Sequence, residues 1–275
     1  MQPRPLPTFI IAGAQRSGTT FLYNLCDDDP DIYMAKPCFP EPKFFHVDEE
    51  FDKGGDYYSE RYFTDASSSL IVGEKSANYL EHSHVARRMQ GLLGAVKLVF
   101  ALRNPIDRAY SNYLYSRNHG LESQTFDEAI RTETAREAAY CGRMRSVRPF
   151  SYMSRGLYAR HLKSYLQALG SSAVHVLLFD DLIRDPVTVS ASLYEFLGAR
   201  PHDPPAHLNV KTNSTQGVTD ADGSAVVSRG TYAHLRETYR PENAALAEQI
   251  QRDIRCWDRP YDDYRDRLET ESRGR

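Results

Sequence analysis

The chain has no long apolar run. Its most hydrophobic stretches, near Phe9–Ala14 and Val96–Leu102, fall far short of the roughly 20 residues a membrane-spanning helix needs. Cysteine is scarce: Cys26, Cys38, Cys141 and Cys256 are widely spaced, with no C-x-x-C pair and no Cys/His metal spacing. That argues against a zinc site, and no metal is expected. Four thiols could pair, but free cysteines in a cytoplasmic chain are the simpler reading. The opening MQPRPLPTF carries no apolar stretch of the signal-peptide kind, so the expected location is cytoplasmic. An excess of one charge sign is also missing. The net charge of -3 and pI near 6.3 argue against a general nucleic-acid binder or a polybasic membrane anchor. What remains is ordinary globular composition, 41% hydrophobic and 26% charged. The 275 residues are expected to form one domain, 1–275, with a charged tail over 258–275.

Strands and helices alternate along the sequence. Apolar, β-branched runs predict strands at Thr8–Ala12, Leu70–Glu74, Ala95–Leu102 and Val174–Phe179. Helices are expected at Thr19–Cys26, His82–Leu92, Pro105–Arg117 with Asn104 as cap, Phe126–Ala139, Leu157–Leu169 and Asp180–Leu197 around Pro186. Two more, Tyr232–Arg240 and Asn243–Arg252, are expected beyond a loop-rich stretch at 199–229. Residues 36–45, KPCFPEPKFF, read as proline-punctuated loop. The predicted class is α/β: a P-loop-like central parallel sheet flanked by helices on both faces.

One absence points to chemistry. FIIAGAQRSGTTFLYNL places Gly13 and Gly18 at the spacing of the phosphate-loop pattern G-x-x-x-x-G-K-[ST], yet Thr19 stands where lysine belongs. A basic side chain, Arg16, lies inside the loop instead. Backbone N–H groups at the following helix start make an anion site, and Ser17, Thr19 and Thr20 add hydroxyls. The alternative is a strand–helix turn without a ligand. The acidic strand residue that holds Mg²⁺ in phosphate-loop ATPases is missing as well. The corresponding strand ends in Arg103, and Ser111 follows two turns into the next helix. Taken alone, Arg103 reads as a surface charge. Together with the loop, it implies a ligand carrying two separated phosphates.

GAQRSGTTFLY resembles the 5'-phosphosulfate loop of sulfotransferases that use 3'-phosphoadenosine 5'-phosphosulfate, and LVFALRNPIDRAYSNYLY resembles their 3'-phosphate-binding strand and helix. The resemblance implies the sulfotransferase fold, that donor, and Gln15, Arg16, Ser17, Gly18, Thr19 and Thr20 as its 5' cradle, with Arg103 and Ser111 on the 3'-phosphate. Glu41-Pro42-Lys43-Phe44-Phe45 is similar to the segment bearing the catalytic glutamate of heparan sulfate sulfotransferases. Glu74-Lys75-Ser76-Ala77-Asn78-Tyr79 is similar to their glutamate–lysine–threonine segment, and VHVLLFDDLIRDPVTVSASLYEFLG to the strand and helix that follow. Ser228-Arg229-Gly230-Thr231 stands at their late basic–glycine loop, which implies Arg229, Gly230 and Thr231 as cofactor contacts. The likeness is greatest to glycan O- and N-sulfotransferases. Arg16 departs from the lysine usual in heparan-type enzymes and matches the tyrosylprotein type. The late cysteine pair and the Golgi anchor of the family are missing. A soluble, bacterial-type relative is therefore expected, with a small-molecule or glycan-type acceptor.

Sulfonate transfer needs a base for the acceptor proton and a cation for the departing oxygen. Glu41, flanked by Pro40 and Pro42, is the first candidate base and His46 the second. Their bland readings are a solvated loop glutamate and a packed histidine. Arg16 is the candidate cation, with Lys75 or Lys43 assisting, although Lys75 could instead pair with its neighbour Glu74. Arg155, at a helix start, lines a cleft or is solvated. A nucleotide kinase and a non-catalytic nucleotide-binding protein remain as alternatives. Tyrosine is abundant at 18 residues, and Tyr57, Tyr58, Tyr62, Tyr110, Tyr113 and Tyr115 fit either a cleft or core packing.

Overall fold

A computed structural model of the chain describes residues 5–66, 71–141, 149–208 and 227–266. In chain order its regular elements are β1 (Phe9–Gly13), α1 (Thr19–Asp27), β2 (Ile32–Met34), α2 (Asp48–Phe51), α3 (Gly54–Tyr62), β3 (Ile71–Lys75), α4 (Ser83–Leu93), β4 (Lys97–Leu102), α5 (Pro105–Asn118), α6 (Phe126–Ala139), α7 (Tyr158–Leu169), β5 (Val174–Leu178), α8 (Phe179–Arg184), α9 (Pro186–Leu197) and α10 (Arg229–Ile250). The described residues divide into two compact units.

The first unit comprises the described residues to Arg103 and those from His161 to Leu208. It is built on a parallel five-stranded sheet in the order β2-β3-β1-β4-β5. Alternation along each strand divides the core between two faces. Phe9 and Ile11 of β1 and Val99 and Ala101 of β4 pack with Leu22 and Leu25 of α1 and Leu193 and Leu197 of α9. Phe100 points the other way and meets Tyr165 of α7 edge-on, with ring centroids 5.1 Å apart. Helices therefore cover both faces, and strands buried on both sides read as the continuous apolar runs seen in the sequence. Each fully buried Leu or Phe contributes about 1.5–3 kcal/mol.

The second unit comprises the described residues of 104–160 and 227–266. Its core joins Ile106 and Tyr113 of α5, Phe126 and Ile130 of α6, Tyr152, and Tyr232, Leu235 and Tyr239 of α10. The helix starts follow their caps. Asn104 Oδ1 accepts from Ile106 N–H at 2.9 Å ahead of Pro105. Thr125 and Glu128 form a reciprocal capping box at α6.

Several expectations need correction. The helix predicted around Pro186 is two, α8 and α9, divided at Asp185, whose carboxylate caps α9 at Thr188 N–H, 3.1 Å. The two helices predicted on either side of Pro241 are one, α10. Proline removes one N–H bond at that point, but Tyr239 and Leu246 are buried before and after it and hold the helix in register. The short strand β2 and helices α2 and α3 were not anticipated. Leu70, most of the 199–229 stretch and the end of the tail lie outside the described residues. Among the described residues no helix is long and apolar enough to cross a membrane.

Candidate active site

The first unit carries the loop between β1 and α1. Gly18 caps α1 in the left-handed region, φ 90°, and a Cβ there would meet Leu182 and Phe179 side chains at 3.1 Å. Gly13 is equally confined: a Cβ would lie 2.8 Å from Leu80 Cβ. Glycine at these positions lets the loop turn tightly and present its backbone. The first turn of α1 contains no acidic residue, so its outward N–H groups and positive dipole end are not neutralised locally. The Ser17 hydroxyl is fully buried and finds no hydrogen-bond partner among the described residues. A buried polar group left in this way costs about 1–3 kcal/mol, a cost that a bound oxyanion would remove. Thr19 is buried; Gln15, Arg16 and Thr20 are half-buried.

Arg103, at the end of β4, reaches the same loop. Its Nη1 donates to the Arg16 carbonyl at 3.5 Å, and its guanidinium lies 4.9 Å from the Phe179 ring centroid. The structure thus places the Arg103 guanidinium against the backbone of the loop that carries Arg16.

The second half of this site forms beyond β3. In register with β1, Glu74 pairs with Ile10 and Lys75 with Ile11, so the two charged side chains leave opposite faces. Lys75 does not pair with Glu74. Its ammonium lies 2.9 Å from Glu41 Oε1 and 3.9 Å from the Phe39 ring centroid. Glu41 Oε2 accepts from Ala77 N–H at 3.1 Å. The proline-flanked segment is pinned further by Lys43 N–H donating to Ser76 Oγ, 2.9 Å, and by Phe45 N–H donating to Tyr79 Oη, 3.2 Å. Glu41 is therefore a placed carboxylate, not a solvated one.

His46, the second candidate base, stacks on His82 with centroids 3.6 Å apart and lies 5.7 Å from His84; this arrangement favours a packing role. Glu74 is fully buried, and Tyr58 donates a close hydrogen bond to its Oε2. Burial pushes the Glu74 carboxyl up to about 7, against the pull of hydrogen bonding from Ser76, Tyr58 and Tyr79. Neither Glu74 nor the hydroxyls around it was singled out from the sequence as a group acting together.

In the second unit, Ser111 is buried on α5. Next to it, Asn112 Oδ1 accepts from Arg108 at 3.2 Å and from Arg155 at 3.0 Å. Arg155 is buried, not the solvated helix-start arginine allowed for above. Arg229, Gly230 and Thr231, expected as a loop, are instead the first turn of α10, capped by Ser228 Oγ on Thr231 N–H at 3.1 Å. The Arg229 side chain is 67% exposed and pairs with Asp262 at 2.8 Å. Of the tyrosines, Tyr58 and Tyr113 are core residues, whereas Tyr115 is exposed against His119.

Comparison with known proteins decides the family. Residues 6–219 match the model of the sulfotransferase domain. The chain belongs to the sulfotransferase family. This sulfotransferase-family chain is 33% identical over 199 residues to the mouse bifunctional heparan sulfate N-deacetylase/N-sulfotransferase 1, covering 70% of this chain and 22% of that protein. Against human N-deacetylase/N-sulfotransferase 2 it is 30% identical over 203 residues, covering 71% of this chain and 22% of that protein. It thus spans about a fifth of the length of these curated relatives. A sulfotransferase from Alicyclobacillus acidocaldarius has the same fold, with TM-score 0.77, 28% identity, and coverage of 93% of this chain and 100% of that one. Membership in the sulfotransferase family sets aside the nucleotide-kinase reading.

Proposed function

We propose that the chain moves the sulfonate group of 3'-phosphoadenosine 5'-phosphosulfate to a hydroxyl or amine, with Glu41 as general base. The observation that carries this reading is the Glu41–Lys75 pair in the same unit as a phosphate loop whose Ser17 hydroxyl is buried without a partner among the described residues. That loop fits the donor: Ser17, Thr19 and Thr20 offer hydroxyls, the start of α1 offers N–H groups, and Arg16 offers a fixed charge. Arg103 is assigned to a second phosphate. The Ser111 and Arg229–Thr231 assignments rest on sequence resemblance alone.

The donor supplies the sulfonate, whose bond to the bridging phosphate oxygen breaks as the acceptor oxygen or nitrogen bonds to sulfur. Glu41 takes the acceptor proton. Lys75 and Ala77 N–H hold the carboxylate in one place, which is what a base must have before its strength matters. Proton uptake by Glu41 leaves the Lys75 ammonium without its counter-charge, available with Arg16 to negative charge growing on the leaving oxygen. The heparan sulfate N-sulfotransferase relatives make an amine-bearing glycan the first acceptor to try. A labelled-sulfonate screen tests the reading: N-deacetylated heparan-type glycan, a phenol and a lipid alcohol, each with and without EDTA. Label on one acceptor, unchanged by EDTA, is expected. A strict magnesium requirement, or no labelled product at all, counts against it.

A further inference from the structure

Glu74 is used by none of the steps above, yet it is a fully buried carboxyl in the strand that carries Lys75. Two hydroxyls that anchor the Glu41 segment belong to its surroundings. Ser76 Oγ accepts the Lys43 N–H, and Tyr79 Oη accepts the Phe45 N–H. With a lone pair already committed to a backbone N–H, each hydroxyl has its proton free to give. A third hydroxyl, that of Tyr58, donates to Glu74 Oε2. The Tyr58 ring stacks on Phe44 at 4.1 Å and meets Phe45 edge-on at 5.4 Å. Glu74 thus stands behind three contacts that fix residues 43–45, directly after Glu41.

We propose that Glu74 is a positioning residue, acting through Tyr58, Ser76 and Tyr79 to hold the Lys43–Phe45 backbone and so aim the Glu41 carboxylate. This rests on the reading of Glu41 as the base. Ionised, Glu74 accepts from Tyr58 at Oε2 and is favoured by the Ser76 and Tyr79 hydroxyls beside it, while Oε1 meets no donor among the described residues. Protonated, it loses its charge and draws less strongly on the three hydroxyls, so their hold on the Lys43–Phe45 backbone slackens. The groups facing it are Tyr58 and Tyr62 from α3, Ser76 and Tyr79 beyond β3, and Glu41 itself. Burial is the largest influence, and the carboxyl titrates at about 7. Protonation within the neutral range therefore loosens the segment, and turnover rises as pH passes upward through that ionisation.

Glu74→Gln tests this, because glutamine keeps the size and cannot ionise. Three results are expected. The 3',5'-diphosphoadenosine affinity stays within about twofold, since the phosphate loop is untouched. Turnover drops roughly tenfold from misplacement of the base, and the rise in kcat near pH 7 disappears. Amide hydrogen exchange, read with no donor or acceptor present, quickens at Lys43 and Phe45. Unchanged exchange at those two amides, or a pH rise that survives in Glu74→Gln, overturns the proposal. If that variant does not fold, Ser76→Ala should quicken exchange at Lys43, and Tyr79→Phe at Phe45. No change at either site is the contrary result. A wild-type chain that transfers no sulfonate defeats the function reading, while the exchange measurement still decides the role of Glu74.

Discussion

Lys75 and Glu41 meet at 2.9 Å where water scarcely reaches, with 1% of the lysine side chain exposed and 11% of the glutamate's. A buried lysine with a single carboxylate is a vulnerable arrangement, because removing one partner strands the other. Lys75→Met should lower stability by about 3 kcal/mol, at the low end for buried pairs because Glu41 keeps some contact with water. Turnover should fall more than donor affinity. Thermal unfolding and single-turnover kinetics check this; unchanged melting together with unchanged kcat contradicts it.

Ser17→Ala separates binding from folding. The hydroxyl makes no hydrogen bond to any described residue, so its loss should leave the ligand-free protein as stable or slightly more so. Binding of 3',5'-diphosphoadenosine should weaken by about 1.5–3 kcal/mol, the contribution of a hydrogen bond to a charged group. Calorimetric titration beside a melting curve reads both. A large loss of melting temperature with unaltered affinity is the contrary outcome.

Arg103→Ala probes the second phosphate. The side chain rests on the Phe179 ring, and its bond to the Arg16 carbonyl is long, 3.5 Å, so removing Arg103 should disturb the loop backbone little. The diphosphate should lose roughly ten- to hundredfold in affinity, while 5'-AMP, which has no 3'-phosphate, should bind nearly as before. Equal losses for the two nucleotides would remove Arg103 from that role.

Glu74 also predicts a pH dependence of stability. Its folded carboxyl titrates at about 7, above its ordinary 4.5, so the folded state holds a proton that the unfolded chain has released. Stability from this group is therefore full below about pH 4.5 and declines as pH rises through 7. The full decline amounts to about 3 kcal/mol. Glu74→Gln should show no such decline and so gain on wild type across that window, measured by urea unfolding at several pH values. A constant difference between the two proteins contradicts the assignment.

Short-range signals explain what was legible in the sequence. The β1–loop–α1 unit and Asn104–Pro105 at α5 are each fixed by neighbours within a few residues, and each formed as read; α6 formed over its expected span, on a Thr125–Glu128 capping box that had not been read. β2, with three residues, is too short to show periodicity, and α3 opens on Gly54 and Gly55, which conceal a helix. Pro241 misled because packing of Tyr239 and Leu246 outweighed one missing N–H. The site divides the same way. The β1–α1 loop and Arg103 were visible as candidates, and resemblance supplied Glu41. Its contact with Ala77, 36 residues further along, and the link from Tyr58 to Glu74 depend on how the strands align, which no local pattern encodes.

The most direct measurement is sulfonate transfer by wild type and Glu41→Gln side by side, from the labelled phosphosulfate donor, with 3',5'-diphosphoadenosine affinity measured on both. Glutamine preserves the size and the contact with Ala77 N–H but takes no proton at neutral pH. Wild type should transfer sulfonate, the two proteins should bind the nucleotide equally, and kcat should be lower by about 10²–10⁴ in the variant, with KM little changed. His46→Ala should cost much less. A Glu41→Gln enzyme as fast as wild type, or a His46→Ala enzyme that is dead beside it, would contradict the account.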